Sequence, residues 1–317
     1  MSSMRLSLAL ALALGLPGLA AAQVGPPDGQ PQAAATVSPD LALQIRLERV
    51  RFSPGELDGA VGGNTRRALG GYQAFKGLPV TGEADAETLA ALEADTAGVP
   101  LLGEYSLSQE DIDYKYVGIP AGYMAQSRLK ALSYSTIQEK VGEAVRSSPA
   151  LLRTLNPGAD WSQAGTVLRV PNVQDLPALA PADHVLVDES DKTLQLIDAQ
   201  GVAYAQFPIT SGTARFPLPV GEWKVTGIAA DPWYNYDPKL ISTARRGDRK
   251  TRLPPGPNGP VGTMWIGLTK PHYGIHGTPN PHLIGRTQSN GCVRLTNWSA
   301  NDVAGALVVG TRILMQE

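Results

Sequence analysis

The chain of 317 residues has one cysteine, Cys292, and so cannot form a disulfide within itself. It has no excess of either charge, with 27 Lys and Arg against 29 Asp and Glu. That balance leaves no electrostatic footprint for DNA, RNA or an anionic membrane, and nucleic acid is not an expected partner. A long apolar run is also missing. The best candidate, Leu6 to Leu19, is interrupted by Pro17 and Gly18 and is too short for a comfortable membrane span. Core-forming sequence is plentiful, at 43 % apolar residues, which excludes global disorder. The length suits two or three domains.

The N-terminus has a weakly basic start, Met1 to Arg5, then the apolar run, then Ala20-Ala21-Ala22 before Gln23. This small-x-small pattern predicts a signal peptide over residues 1–22, removed from a secreted or periplasmic protein with no stable membrane span after cleavage. An uncleaved anchor helix is the alternative. No cysteine follows the cleavage site, which argues against lipoprotein processing. In an oxidising compartment, a lone cysteine is either a small buried apolar residue or a thiol kept for chemistry.

Residues 23–38, rich in Pro, Gly, Gln and Ala, read as a flexible linker. Over 39–95, Leu43, Leu47 and Val50 share one helical face, and Thr65, Leu69, Tyr72 and Phe75 share another. A third helix is expected at Ala86–Ala94. A middle region, 100–173, precedes a second linker at 174–182. From 183 to 317 the pattern becomes alternating, at Val185 and Val187, Leu194 and Leu196, Phe207 and Ile209, separated by hairpin signals. Further strands are expected at Glu222–Ile228, Met264–Leu268, Gly274–His276 and Arg312–Met315, with one helix over Ser299–Leu307. The expected architecture is multidomain α+β: a small three-helix bundle, an α+β module, and a mainly β domain of sandwich or barrel-like form.

Two of these regions resemble known modules. Leu43-Gln44, Leu57-Asp58-Gly59, Gly62, Thr65, Tyr72-Gln73, Phe75, Gly77-Leu78, Thr81-Gly82 and Thr88 resemble the three-helix peptidoglycan-binding domain. A generic helical spacer is the bland alternative. Residues 134–173 are similar to a LysM glycan-binding module. There Tyr134-Ser135-Thr136 is the expected first strand, and Leu155-Asn156-Pro157 leads to the closing strand Gly165–Pro171. The opening Gly-Asp of that family is missing; Lys140-Val141-Gly142-Glu143 stands in its region.

Chemistry concentrates between Gly274 and Leu295. A thiol reacts as its thiolate, and a nearby imidazole such as His276 can take its proton or hold it as an ion pair. Gly291, directly before Cys292, lets backbone pass close to a substrate and leaves amide N–H groups to hold an oxyanion. Gly277 likewise clears the approach beside His276. Since Gly277 offers no side chain to orient the imidazole, a backbone carbonyl is the expected acceptor. Two bland readings compete. His272, His276, His282 and Cys292 could be drawn as a zinc set, but the residues around His272 and His276 favour a strand, where four residues rise about 13 Å. An inert core cysteine fits poorly with neighbours that are polar or glycine. His184 and His282 are read as ordinary surface residues.

His276-Gly277-Thr278 and Ser289-Asn290-Gly291-Cys292-Val293-Arg294 resemble the two motifs of the L,D-transpeptidase family with its YkuD-type catalytic domain. Pro219–Trp223 and Pro257–Gly262 extend the resemblance, which covers residues 183–317. It implies Cys292 as nucleophile and His276 as base. Ser289, Asn290, Gly291, Gly277 and Arg294 are implied as supporting or oxyanion residues, with no metal and no organic cofactor. Asn290 departs from the family, which usually has a second histidine there. The implied partner is peptidoglycan, through its stem peptides and glycan strands, and the implied place is the cell wall. The implied reaction releases D-alanine from tetrapeptide stems through a thioester and forms 3→3 cross-links. Hydrolysis, protein tethering and a lapsed, wall-binding site are the alternatives. Arg294 is read as packing and pairing with a carboxylate, or as contacting one on the substrate. The run Arg245–Arg252, in an insertion over 231–262 with Trp233, Tyr234 and Tyr236, is a solvated loop face or a substrate-facing lid.

Overall fold

The structure, a computed structural model, describes residues 37–213, 215–241, 244–289 and 291–317. The expected signal peptide, most of the first linker and Asn290 lie outside the described residues. No helix among the described residues is long and apolar enough to cross a membrane.

Helix α1 (Pro39–Arg49) starts where the Ser38 hydroxyl accepts the Leu41 N–H, with proline at the first helical position. Helix α2 (Gly63–Lys76) stops at Gly77, which takes the left-handed conformation. Helix α3 (Ala86–Asp95) is capped by Asp85. The three enclose a core of Leu43, Leu47, Phe52, Leu69, Tyr72 and Leu92. Gln73, fully buried, ties the connecting turn by accepting from Thr81 N and Gly82 N and donating to Thr88 Oγ1. Phe75 departs from the expected inward face: it is 44 % exposed and only rests its ring on Phe52.

The middle region corrects one expectation. Its first strand is β1 (Leu102–Ser106), not Tyr134–Thr136. After β1 come α4 (Gln109–Asp113), α5 (Tyr123–Gln126), α6 (Ile137–Ala144), α7 (Pro149–Leu155) and β2 (Val167–Pro171), which pairs antiparallel with β1. Thr136 instead caps α6, its hydroxyl accepting the Glu139 N–H, and so lies outside any strand. Residues 107–136 form an insertion between the first strand and α6.

The last part is built on one curled sheet. Its strands are β3 (His184–Asp188), β4 (Thr193–Ile197), β5 (Ala203–Pro208), β6 (Gly221–Ala230), β9 (Met264–Leu268), β10 (Gly274–His276), β11 (Val293–Arg294) and β12 (Arg312–Gln316). A separate hairpin, β7 (Tyr234–Tyr236) with β8 (Thr251–Leu253), rises from the 231–262 insertion. The sheet order is β11-β10-β9-β6-β12-β3-β4-β5. Its edges meet: Thr210, just past β5, exchanges both backbone hydrogen bonds with Arg294 of β11, at 3.0 and 2.8 Å. That bridge makes the sheet barrel-like and removes an exposed edge. Helix α8 (Asn297–Gly305) covers the curled interior, burying Ala300 and Val303 against Val185, Leu196, Ile266 and Ile313.

A buried ion network joins the three parts. Arg146 Nη1, after α6, lies 2.6 Å from both Glu48 Oε1 of α1 and Asp302 Oδ2 of α8, and Arg51 Nη1 lies 3.1 Å from the same Asp302 oxygen. The second linker is held as well, since Arg51 donates to the Pro177 carbonyl.

Candidate active site

Strand β10 delivers His276 and is central to the site because it pairs with β9 on one side and, in parallel, with β11 on the other. Cys292 immediately precedes β11, and Arg294 sits directly across from His276 in register. Cys292, 16 positions after His276, thus stands at the start of the neighbouring strand. Cys292, His276, Ser289 and Arg294 all line a single cavity of about 1120 Å³.

His276 is 4 % exposed. Its Nδ1 lies 2.7 Å from the Gly277 carbonyl, which can only accept, so Nδ1 carries the proton and Nε2 keeps its lone pair. The Trp265 ring stacks on the imidazole with centroids 5.5 Å apart and planes at 21°, fixing its plane. Gly277 has to lack a side chain: a Cβ there would come within 2.2 Å of Asn297 Oδ1, which packs over this peptide. Burial, and then the Arg294 charge, hold the imidazole down at about 3, while the Gly277 bond opposes them.

The turn before Cys292 is tied by Ser289, which is 3 % exposed. Its hydroxyl accepts the Gly291 N–H at 3.1 Å and donates to the Cys292 carbonyl at 2.6 Å. Gly291 has φ +99°, and a Cβ there would meet the Tyr273 ring at 2.6 Å, so both conformation and space demand glycine. The bond to Ser289 commits the Gly291 N–H that the sequence reading offered to an oxyanion. The Cys292 thiol is pushed up by burial, opposed by a backbone hydrogen bond from Gly274 and by Arg294. With the thiol raised and the imidazole lowered, the resting pair is neutral, and an ion pair is disfavoured before substrate arrives.

Arg294 has no carboxylate within salt-bridge distance among the described residues. Of the insertion, Arg245 and Arg252 reach the cavity, Arg252 lying over the Trp233 ring at 4.8 Å. Lys250 instead pairs with Asp237 at 2.7 Å. Among the described residues no group of three or more His, Cys, Asp or Glu is arranged to hold a metal ion. Sequence reasoning missed Trp265, Tyr273 and Asn297, whose roles come from strand pairing and helix docking. Tyr234 was visible only as an aromatic in the insertion; here it lines the cavity, and burial, Tyr123 and Cys292 all raise its hydroxyl, which stays protonated.

The curled sheet sets His276 of β10 against a β11 that Cys292 immediately precedes, and sequence comparison gives the family. The profile of the L,D-transpeptidase catalytic domain, YkuD, matches residues 182–315, and the profile described as "Putative peptidoglycan binding domain" matches residues 40–92. The curated protein "Putative L,D-transpeptidase YkuD" of Bacillus licheniformis is 30 % identical over 185 residues, covering 56 % of this chain and 95 % of that one. Its Bacillus subtilis counterpart is 31 % identical over 186 residues, covering 56 % and 96 %. Among solved structures, an L,D-transpeptidase from Xylanimonas cellulosilytica aligns at 18 % identity with a TM-score of 0.39, covering 92 % of this chain and all of that one. The chain belongs to the L,D-transpeptidase family.

Proposed function

We propose that the protein is a cysteine-dependent L,D-transpeptidase acting on peptidoglycan tetrapeptide stems. The observation that carries the reading is that Cys292 and a His276 with its Nε2 lone pair free share one cavity. Substrate binding brings the carbonyl of the third stem residue, a diamino acid, to the thiol. The sulfur adds to this carbonyl as its proton passes to Nε2, so the charge pair forms only during attack. With Gly291 N–H held by Ser289, the oxyanion is assigned to the Cys292 N–H, with the Arg294 charge nearby. The C–N bond breaks, D-alanine leaves with the proton from His276, and a thioester remains. The side-chain amine of a second stem then attacks, releases Cys292 and closes a 3→3 cross-link. No cofactor is required by these steps.

The 40–92 domain would hold the enzyme on the insoluble wall and raise the local substrate concentration. Cell-wall association follows from that assignment, and export from the N-terminal pattern of residues 1–22.

Purified protein incubated with tetrapeptide muropeptides, with products read by mass spectrometry, tests the reading. Loss of D-alanine with dimers supports transfer; loss without dimers shifts the acceptor to water. Products no different from those of Cys292→Ala would sink the enzymatic assignment altogether.

A further inference from the structure

The insertion over 107–136 leaves the middle module and crosses to the β7–β8 hairpin of the catalytic part. Leu132 N–H donates to the Pro255 carbonyl at 2.9 Å, and Asn258 N–H returns a bond to the Leu132 carbonyl at 2.9 Å. The Asn258 side-chain amide adds donations to the Ser133 carbonyl at 3.0 Å and to Glu139 at 2.6 Å. The last of these bonds ties Glu139 of α6 to the same Asn258, and the other three pin the insertion itself. At its tip α5 presents Tyr123, whose ring centroid lies 4.3 Å from that of Tyr236 and 6.3 Å from that of Tyr234.

Tyr236 makes a rigid platform. It is 2 % exposed, and its hydroxyl donates to Asp248 at 2.7 Å. Tyr123 and Tyr234 are only half-buried, and both line the cavity that holds Cys292. The Tyr123 ring therefore contacts both hairpin rings at tilted angles, 31° to Tyr236 and 42° to Tyr234, with Tyr236 as the buried anchor. Aromatic contacts at such separations order the partners beyond simple burial.

We propose that Tyr123 is a positioning residue for acyl transfer, supplied by the middle module, which holds Tyr234 as the cavity wall facing the Cys292 thiol. The inference rests on the acyl-transfer reading above and extends it: the site is built by two modules, and the middle one does more than tether. A donor stem entering the cavity packs against Tyr234, and the placement of that wall depends on a ring carried about 110 residues earlier in the chain.

The test is a double-variant cycle in the full-length protein, reading D-alanine release from a tetrapeptide muropeptide. Tyr123→Ala lowers kcat/KM by about tenfold, mostly through KM, whereas Tyr123→Phe, which keeps the ring, stays within about twofold. Tyr123→Ala adds no further loss in a Tyr234→Ala background, since it acts through that residue. Additive losses, or wild-type kcat/KM in Tyr123→Ala, would overturn the proposal. Thermal unfolding checks each variant, and Tyr123→Leu, which keeps apolar volume, replaces the alanine if that protein does not fold. If the wild-type protein releases no D-alanine, it is the acyl-transfer reading that fails. The same cycle is then read from iodoacetamide alkylation of Cys292. There Tyr123→Ala and Tyr234→Ala speed the reaction equally and the pair no further; independent effects would overturn the positioning role.

Discussion

Arg294 stands directly opposite His276 in the parallel β10–β11 pair, so the imidazole has a guanidinium for its cross-strand neighbour and not a carboxylate. A carboxylate would favour the imidazolium and stabilise a resting ion pair with the thiol. The guanidinium does the reverse, adding to burial in holding His276 at about 3.

The pH dependence of kcat/KM should carry this signature. Because the free-enzyme imidazole stays neutral from pH 7 down to well below 5, the wild-type profile has no acid limb near the ordinary histidine value of about 6.5. Arg294→Gln removes the opposing charge but not the burial, so the His276 value rises part of the way back and an acid limb moves into the window between about 3 and 6.5. The same change withdraws a charge that favours the thiolate, and kcat/KM at pH 7 falls by about tenfold, roughly 1.4 kcal/mol. Steady-state rates of D-alanine release from pH 4 to 9 measure both. An unchanged acid limb in Arg294→Gln would show that burial alone sets the imidazole.

Stability should also respond to pH through Glu143, which stands between the middle module and α8. Asn297 Nδ2 donates to its Oε1 at 2.7 Å. Burial raises the carboxyl to about 8, the Asn297 bond opposes this, and Glu139 and Glu56 add to the rise. The folded value lies above the unfolded one, so the folded state binds the extra proton between about 4.5 and 8. The stabilisation is complete below about 4.5 and is lost as pH rises through about 8. Glu143→Gln keeps an acceptor for Asn297 and stays neutral at every pH. It should flatten that decline and make the protein more stable at pH 8, by on the order of 1–2 kcal/mol. Glu56, raised to about 7 by burial and Asp58, leaves a smaller slope of the same sign. Urea unfolding at pH 5 and pH 8 reads the difference; equal slopes in variant and wild type would refute it.

Much of this architecture was legible in local sequence, and the failures have a common cause. The alternation at Val185 and Val187 or Leu194 and Leu196 is a local property, and β3 and β4 lie on those residues. Helices α1 to α3 follow local periodicity and caps in the same way. Strand β1 was missed because its partner β2 lies 65 residues away, so pairing rather than pattern makes it a strand. Tyr134–Thr136 was misread although Thr136 and Glu139 already form a helix-start signal. At the site, the motifs identify Cys292 and His276 as residue types suited to the chemistry. The stacking of Trp265 and the arrival of Tyr123 come from contacts distant in sequence that no spacing encodes, whereas the commitment of Gly291 N–H to Ser289 is a local turn bond that the residue types alone do not specify. Asn290, where the motif departs from the family, lies outside the described residues.

The last expectation concerns the joint between modules. Arg146 and Arg51 both adopt left-handed backbone conformations, with φ +56° and +70°, at helix ends where glycine is usual. The strain is accepted because their side chains are needed: Arg146 bridges Glu48, 1 % exposed, and Asp302, and Arg51 binds Asp302 again. Glu48 Oε2 has no hydrogen-bond partner among the described residues, where Arg146 is the one guanidinium within salt-bridge distance of Glu48 and Arg51 adds a more distant positive charge. Arg146→Met should therefore destabilise by about 3 kcal/mol or more, since it strands a buried carboxylate. For a chain of 317 residues that lowers the melting temperature by roughly 4–5 °C or more. Glu48→Met/Arg146→Met removes both charges and recovers most of the loss, because an apolar pair of similar volume avoids the desolvation cost. Asp302 keeps Arg51 in either variant. Calorimetry of the single and double variants decides the point. If Arg146→Met melts like wild type, the network is a surface ornament and the modules are held by apolar packing; if the single variant splits the transition in two, the network is what makes them unfold as one.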